Sequence, residues 1–337
     1  MQSPRDPIAR EARESRDLYG VATWEQRSAL DTLSVWIYSL VLKSLRALVV
    51  LVALVILATL TLLCGLGAVF DPMVSTLVAL SVIPALAIAL YVWYADITTG
   101  EPLSLLVVTF LLAVLFATFA AVVNSALMPA FELIPILGLP LFFYLVVGPV
   151  EEFVKILAVR LYAYRTDRFD AVIDGAVYGA VAGLGFATIE NAFYITQALE
   201  GAVAGAEVIG VAGDTAAARA LAGPGHVLFS AIAGFYLGLA KFNREHAGPI
   251  VAKGILIAAF LHATYNTLVS VVPPLLVVTV AWMTPLVALV GFIIVYDGLV
   301  AYYLYRKLSA YRRVYREVGV PEKAEDDLSV EATEFDP

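Results

Sequence analysis

Acidic and basic side chains lie inside apolar stretches of this sequence, where hydrocarbon side chains would be expected. Glu151, Glu152 and Lys155 form the pattern EExxK in GPVEEFVK, at the end of one such stretch. Further polar candidates lie in three later stretches: Glu190, His226, His262 and Asn266. A charge at the centre of a bilayer costs ~2.5–3.5 kcal/mol on insertion scales, so each of these groups needs a partner, a hydrated cavity or a function.

Two chemistries suit this set of side chains. Two imidazoles and a carboxylate from three helices could hold a divalent metal such as zinc, with an open position for water and a further carboxylate as general base. Without a metal, a glutamate could activate water while a histidine and the Asn266 amide stabilise the oxyanion. Both schemes hydrolyse an acyl bond. Lys155 would neutralise one of the paired glutamates and leave the other free to carry a proton.

Two further acids, Asp174 and Asp297, lie near the ends of apolar stretches. For acids in such positions, contact with the aqueous boundary or structural pairing with an arginine is the favoured interpretation. The nearby arginines are Arg160, Arg165 and Arg306. We therefore leave both aspartates outside the candidate site.

The composition is that of a polytopic membrane protein. Of 337 residues, 61% are hydrophobic and 15% are charged, and the mean hydropathy is +0.88. The net charge of −8 comes largely from the acidic segment 321–337 and indicates no nucleic-acid partner. Cys64 is the single cysteine, which excludes a disulfide framework or a cysteine-based metal cluster within one chain.

The apolar stretches predict transmembrane helices, each of which needs ~20 predominantly apolar residues. Eight stretches qualify: 47–70, 73–94, 102–123, 133–159, 175–199, 217–241, 248–271 and 275–305. Before them, residues 24–43 mix aromatic, aliphatic and charged side chains, which is typical of a helix in the membrane interface. The predicted fold class is an all-α polytopic transmembrane helix bundle of about eight spans with an N-terminal interfacial helix. In the sixth stretch, the triplet GPG at 223–225 predicts an interruption of the helix.

The distribution of lysine and arginine predicts the orientation of the spans. If the N-terminus is cytoplasmic, Arg219 is the only basic residue on the outer side. We therefore expect a multi-pass protein of the cell membrane with both termini in the cytoplasm. The first 44 residues are charged throughout and are not expected to be a signal peptide.

The candidate side chains are predicted to share one depth in the bilayer. At ~1.5 Å per residue, Glu190, His226 and His262 lie roughly 24, 22 and 21 Å from the cytoplasmic ends of their helices. Small residues recur every four positions before Glu190 and after His226, a pattern that marks helix contacts in membranes. These side chains are therefore expected to face protein, and Glu152 could join them if its helix is tilted or broken.

Four short motifs follow one another between residues 142 and 268. They are EEFVK (Glu151, Glu152, Lys155), FATIEN (Phe186, Glu190, Asn191), HVLFSAIAGF (His226, Gly234) and HATYN (His262, Asn266). Their order and spacing resemble the motifs of the PrsW family of intramembrane proteases. That family is similar in turn to the CAAX prenyl endopeptidase and bacteriocin-processing group, with which it shares a core of glutamate and histidine.

The resemblance implies hydrolysis of peptide bonds within or beside the lipid bilayer, in membrane-anchored protein substrates. The catalytic residues that it implies are Glu151, Glu152, Glu190, His226, His262 and Asn266, and the metal ligands are Glu190, His226 and His262. One of the paired glutamates would be the base, and Asn266 would be a polar helper. The family is classed with metallopeptidases, which makes zinc the expected ion. The related prenyl endopeptidases are also described as metal-independent glutamate proteases, so both mechanisms stay open.

The predicted domain organisation follows from these assignments. Residues 1–44 form a cytoplasmic N-terminal segment with the interfacial helix. Residues 45–310 form a transmembrane protease domain with its motif core at 142–268. Residues 311–337 form a disordered acidic cytoplasmic tail.

Two other functions remain as alternatives. A proton- or cation-coupled membrane transporter also uses buried acids and histidines, which build its proton relays. Transporters usually contain repeated halves with paired broken helices, and the sequence has no visible repeat of that kind. A CAAX-type protease that processes prenylated peptides would keep the chemistry and change the substrate.

Overall fold

The computed structural model describes residues 6–11, 16–44, 72–98, 100–201 and 206–319. Within these ranges the chain is helical and forms no β-strand, which confirms the predicted all-α bundle. The helices are α1 (Pro7–Glu11), α2 (Ala29–Ser44), α3 (Pro72–Tyr94), α4 (Leu103–Glu132), α5 (Gly138–Phe142), α6 (Gly148–Leu161), α7 (Val172–Gly201), α8 (Ala206–Phe242), α9 (Ala247–Val269), α10 (Val272–Thr279) and α11 (Pro285–Glu317). A π-helix, Phe143–Val147, joins α5 to α6.

Six of the described helical stretches are long and apolar enough to cross a membrane. They contain α3, α4, α7, α8, α9 and α11, so the chain is a multi-pass membrane protein. The first predicted span, 47–70, lies outside the described residues. The fourth, 133–159, corresponds to one continuous helical stretch over residues 138–161, in which a π-helix separates two α-helices.

The chain around the EExxK pattern is one helical stretch that contains a π-helical turn. Ile136, just before α5, has a positive φ of 63°, and α5 then continues through the π-helix into α6. A π-helical turn accommodates an extra residue, and it changes the direction in which the first turn of α6 presents Glu151 and Glu152. Gly148 begins α6 in close contact with α9, because a Cβ atom there would lie 2.6 Å from the carbonyl oxygen of Ala259.

Helices α7 and α8 are the most buried long helices of the bundle. Their backbones meet along small residues: a Cβ atom on Gly179 would lie 2.2 Å from the carbonyl oxygen of Ser230, and one on Gly183 would lie 2.4 Å from that of His226. These are the helix contacts that the small-residue pattern predicts. The close approach brings Glu190 of α7 to His226 of α8.

The predicted interruption at 223–225 is wrong, because α8 runs as one helix from Ala206 to Phe242 with Pro224 inside it. A proline removes one backbone hydrogen bond, and neighbouring helices can hold a membrane helix together across that gap. A Cβ atom on Gly223 would lie 3.3 Å from the Ala85 side chain on α3. The triplet therefore provides close packing instead of a break.

The predicted eighth span, 275–305, is divided between two helices in the structure. The chain breaks after α10, where Val280 is extended, and α11 begins with Thr284 as N-cap, whose side chain accepts a hydrogen bond from the Val287 N–H at 3.3 Å. Helix α11 then continues to Glu317, beyond residue 311, where the tail was predicted to begin. Tyr311 is fully buried, and residues 320–337 lie outside the described ranges.

Asp6 joins the N-terminal segment to the bundle. Its carboxylate accepts hydrogen bonds from the N–H groups of Ile8 (2.9 Å) and Val172 (3.1 Å) and from the Tyr311 hydroxyl (2.8 Å). It therefore caps the N-termini of α1 and α7 and also contacts α11. Burial raises the pKa of Asp6 to about 6 despite these donors.

The predicted interfacial helix, 24–43, corresponds to α2, which packs against α9. Asp31 in its first turn forms an ion pair with Lys253 of α9 and accepts a hydrogen bond from the Tyr19 hydroxyl at 2.6 Å. Burial alone would raise the pKa of Asp31, but these partners hold it well below its ordinary range. The position of α2 in the membrane interface stays a prediction.

Candidate active site

Side chains from α6, α8 and α9 meet in one buried cluster. Glu151 and Glu152 come from α6, His226 from α8 and His262 from α9, and none of them is more than 6% exposed. The two imidazole rings lie 5.0 Å apart, centre to centre, in an edge-to-face arrangement. Lys155, also from α6, is fully buried among them. These residues are far apart in sequence, so the cluster depends on the packing of the three helices.

Both carboxylate oxygens of Glu152 accept hydrogen bonds from neighbouring side chains. Its Oε1 accepts hydrogen bonds from Lys155 Nζ at 2.6 Å and from His262 Nδ1 at 2.9 Å. Its Oε2 accepts one from the Ser230 hydroxyl at 3.2 Å. This carboxylate therefore balances the buried ammonium group and fixes the orientation of the His262 ring.

Glu151 has a different environment. Its Oε1 accepts a hydrogen bond from the Asn124 amide of α4 at 3.0 Å. Its Oε2 is buried and has no hydrogen-bond partner among the described residues. This oxygen lies 3.7 Å from His262 Nε2 and 4.0 Å from Lys155 Nζ. A buried carboxylate oxygen without a donor is costly, so it marks a place for a water molecule or a cation.

The hydrogen bonds assign the protons of both histidines. His262 donates from Nδ1 to Glu152, so in the neutral ring the lone pair is on Nε2, 3.7 Å from Glu151 Oε2. His226 accepts from Lys155 at Nδ1, 2.9 Å away, and donates from Nε2 to Glu190 Oε2 at 2.8 Å. His262 therefore has a nitrogen available for water or metal, whereas both nitrogens of His226 are occupied.

Glu190 lies behind His226 and is shared with Arg219. Arg219 forms an ion pair with Glu190 and donates from Nε to the Asn191 amide oxygen at 2.9 Å. Asn191 in turn donates to Ser81 Oγ of α3 at 2.9 Å. Glu190 thus holds His226 from one side, at the edge of the cluster.

Asn266 lies one turn after His262 on α9 and is half-buried. No hydrogen bond of the described chain joins its side chain to the acids and imidazoles of the cluster. Its role as a polar helper stays a prediction.

The group that could hold a metal differs from the predicted one. Glu151, His226 and His262 each offer a ligand atom, and these atoms lie within 4.8 Å of one another. The sequence predicts Glu190 in place of Glu151. The unpartnered Glu151 Oε2 and the free His262 Nε2 suit the oxygen and nitrogen ligands of zinc. His226 would have to exchange its hydrogen bond with Lys155 or Glu190 for the metal.

Sequence reasoning missed three contributors to the site, namely Asn124, Arg219 and Ser230. Arg219 precedes His226 by seven residues, which is two helical turns, so both lie on one face of α8. Ser230 follows His226 by one turn on the same face. Asn124 lies just past the predicted third span, 102–123, and α4 continues beyond it.

Comparison with known proteins gives one consistent family. Residues 101–293 match the model of the family described as PrsW family intramembrane metalloprotease. The protein named Protease PrsW from Geobacillus kaustophilus is 34% identical over 194 residues, which cover 57% of this chain and 79% of that protein.

Two further proteins named Protease PrsW are similar over a comparable length. The one from Oceanobacillus iheyensis is 31% identical over 192 residues, which cover 57% of this chain and 81% of that protein. The one from Bacillus subtilis is 28% identical over 197 residues, which cover 58% and 83%. No solved structure matches the chain significantly.

Proposed function

Because this chain belongs to the PrsW family of intramembrane metalloproteases and is an intramembrane endopeptidase, we propose that Glu151 and His262 position the water that hydrolyses the peptide bond. The observation that carries this proposal is the buried, unpartnered Oε2 of Glu151, 3.7 Å from His262 Nε2. A water ~2.8 Å from each of these atoms would complete a triangle of ordinary hydrogen bonds.

The proposed reaction uses Glu151 as the base. Glu151 accepts a proton from the water, and the water oxygen bonds to the carbonyl carbon of the substrate. The C–N bond then breaks, and the proton passes from Glu151 to the nitrogen of the leaving amine. Glu151 suits this role because its Oε2 accepts no other hydrogen bond in the described chain.

Glu152 and Lys155 are positioning residues in this proposal. Glu152 holds the Nδ1–H of His262, and Lys155 holds Nδ1 of His226. Together they fix the tautomers and ring orientations of both histidines, which sets the direction of the lone pair on His262 Nε2. Glu190 also fixes the orientation of the His226 ring, because it accepts the hydrogen bond from Nε2.

We propose zinc as the metal that this family description implies. Glu151, His226 and His262 would hold it, so Glu151 acts as the base in the metal-free site and would be a ligand when zinc is bound. When bound, zinc would supply a Lewis acid and lower the pKa of its bound water. Glu190, a ligand in the sequence prediction, would instead support His226 through the hydrogen bond between them.

The proposed substrate is a membrane-anchored protein, since the site is built from helices of a membrane-embedded bundle. The proposed location is the cell membrane, with both termini in the cytoplasm. The family assignment favours the peptidase over the transporter and over the processing of prenylated peptides.

Glu151→Gln tests the role of the base. The variant keeps the size of the side chain and an oxygen for Asn124, but it removes the group that accepts the proton. We expect the full-length protein, reconstituted in lipid, to cleave a membrane-anchored test protein ~100-fold more slowly or worse than the wild type. The cleavage product is measured by mass spectrometry of the new chain ends.

Glu132→Gln is the matched control, because Glu132 is exposed at the end of α4, and it should cleave at the wild-type rate. The same preparations are analysed for bound metal, and we expect zinc in the wild type and less in the Glu151 variant. A folded Glu151→Gln protein that cleaves as fast as the wild type would overturn the proposal.

A further inference from the structure

A second group of carboxylates lies away from the candidate active site. Asp96 and Glu101 come from the loop between α3 and α4, and Asp174 comes from the first turn of α7. Their ligand oxygens lie within 4.8 Å of one another. Asp174 precedes Glu190 by sixteen residues on α7, so the two sites are separated by roughly 24 Å along the helix.

Buried polar atoms without partners are concentrated here. Glu101 is only 7% exposed, yet both of its carboxylate oxygens lack a hydrogen-bond partner in the described chain, as does Oδ2 of Asp96. Tyr178, one turn after Asp174 on α7, is fully buried and its hydroxyl also has no partner among the described residues. In folded proteins almost all buried polar atoms are satisfied, so this concentration indicates a missing partner.

The donors in the described chain reach Asp96 Oδ1 and both oxygens of Asp174, but not Glu101 or Asp96 Oδ2. Asp174 Oδ2 accepts from the N–H groups of Asp170 (2.7 Å) and Ala171 (2.9 Å), which caps α7. The Thr98 hydroxyl lies 2.7 Å from Asp96 Oδ1 and 3.2 Å from Asp174 Oδ1. The Thr98 N–H also donates to Asp96 Oδ1, at 2.8 Å, so the single proton of the hydroxyl can go to Asp174 Oδ1.

No basic side chain of the described residues forms an ion pair with the group. The ion pairs found in the described ranges include none of Asp96, Glu101 and Asp174. The sequence favours contact with the aqueous boundary or pairing with an arginine for Asp174, and no arginine pairs with it in the described chain. Like charges at this distance and burial oppose one another unless a cation or a proton compensates them.

We propose that Asp96, Glu101 and Asp174 bind a divalent cation of the oxygen-preferring class, calcium or magnesium. Carboxylate oxygens are the preferred ligands of these hard cations, and the group contains no nitrogen or sulfur ligand that would favour zinc. The cation satisfies the unpartnered oxygens of Glu101 and Asp96. It thereby ties the α3–α4 loop to the first turn of α7, the helix that carries Glu190 in the active-site cluster.

The test uses the full-length protein in lipid nanodiscs after treatment with a chelator. Calcium or magnesium alone is added, and binding is measured by titration calorimetry together with the thermal unfolding midpoint. We expect a saturable rise in the midpoint for the wild type. Glu101→Gln and Asp96→Asn should each weaken binding at least ~tenfold, because each removes one ligand charge. Asp174 is not substituted, since it also caps α7.

Two controls separate this site from the rest of the molecule. Glu132→Gln, at the opposite end of α4, should respond to the cation like the wild type. Glu151→Gln should also respond, which shows that the candidate active site is not the source of the signal. If neither cation binds, or if Glu101→Gln and Asp96→Asn bind as tightly as the wild type, the proposal is overturned and shared protons balance the carboxylates instead.

Discussion

Glu151 and Glu152 are neighbours in the sequence but differ in what their oxygens contact. Both oxygens of Glu152 accept hydrogen bonds, from Lys155, His262 and Ser230. Glu151 keeps one oxygen without a donor in the described chain. A carboxylate already stabilised by several donors binds a further proton less readily. The pair therefore divides into a positioning residue, Glu152, and a candidate base, Glu151.

Glu152→Met tests this division of roles together with the double variant Glu152→Met/Lys155→Met. The single variant leaves the buried Lys155 without its partner, and breaking a buried ion pair costs about 3–5 kcal/mol. We expect a much lower unfolding midpoint and no cleavage. In the double variant the uncompensated charge is gone, so the midpoint should largely recover.

Cleavage should stay lost in the double variant, because His262 still lacks the acceptor that fixes its ring. The thermal unfolding midpoint and the cleavage of a membrane-anchored test protein are measured on both variants. Recovery of cleavage together with stability would show that Glu152 has only a structural role and would contradict the assignment.

Helices α7 and α8 set the geometry on which the site depends. Their backbones approach so closely that residues such as Gly179 and Gly183 cannot carry a side chain without displacing α8. Ser230 and His226 lie on α8 opposite these glycines and bond to Glu152 and Lys155 respectively. The spacing between the two helices therefore controls the hydrogen bonds of the cluster.

Gly179→Ala should disturb both stability and catalysis. The added methyl group would lie 2.2 Å from the carbonyl oxygen of Ser230, so the helices must separate and Ser230 must move relative to Glu152. We expect a lower unfolding midpoint and slower cleavage than in the wild type. The matched control is Gly291→Ala in α11, where an added Cβ has no neighbour within 4 Å.

In the control, alanine should leave the protein as stable or make it more stable by up to ~1 kcal/mol, because alanine favours helices over glycine. Equal midpoints for the two variants would show that the close contact at Gly179 is unimportant.

The two ends of the described chain lie on the same side of the bundle. Asp6 accepts a hydrogen bond from Tyr311 near the end of α11, and Arg16 forms an ion pair with Glu317. This arrangement supports the prediction that both termini are on one side of the membrane. That this side is the cytoplasm rests on the distribution of lysine and arginine.

Cysteine labelling in intact cells tests the orientation. In a Cys64→Ser background, which removes the single cysteine, Asp214→Cys near the start of α8 should react with a membrane-impermeant maleimide. Ser329→Cys, in the acidic C-terminal segment, should react only after the cells are opened. The reverse pattern would mean that the termini are outside the cell.

Sequence alone determined the membrane-embedded, all-α character of this protein and the positions of its motifs. Hydropathy and residue spacing are local properties, so EExxK, Glu190, His226 and His262 could be placed on apolar helices without coordinates. Those local properties could not show that α8 continues through Pro224, because neighbouring helices stabilise the helix there. They also could not show that Asp174 meets other acids, since they favoured contact with the aqueous boundary or pairing with an arginine.

Only the tertiary structure decided which side chains meet. It joins Arg219 to Glu190, leaves one oxygen of Glu151 without a donor in the described chain and brings that oxygen near His262. It also gathers Asp174 with two acids of a distant loop. The physical reason is that a buried polar group is controlled by the donors that other helices supply, and which donors those are depends on how the helices pack.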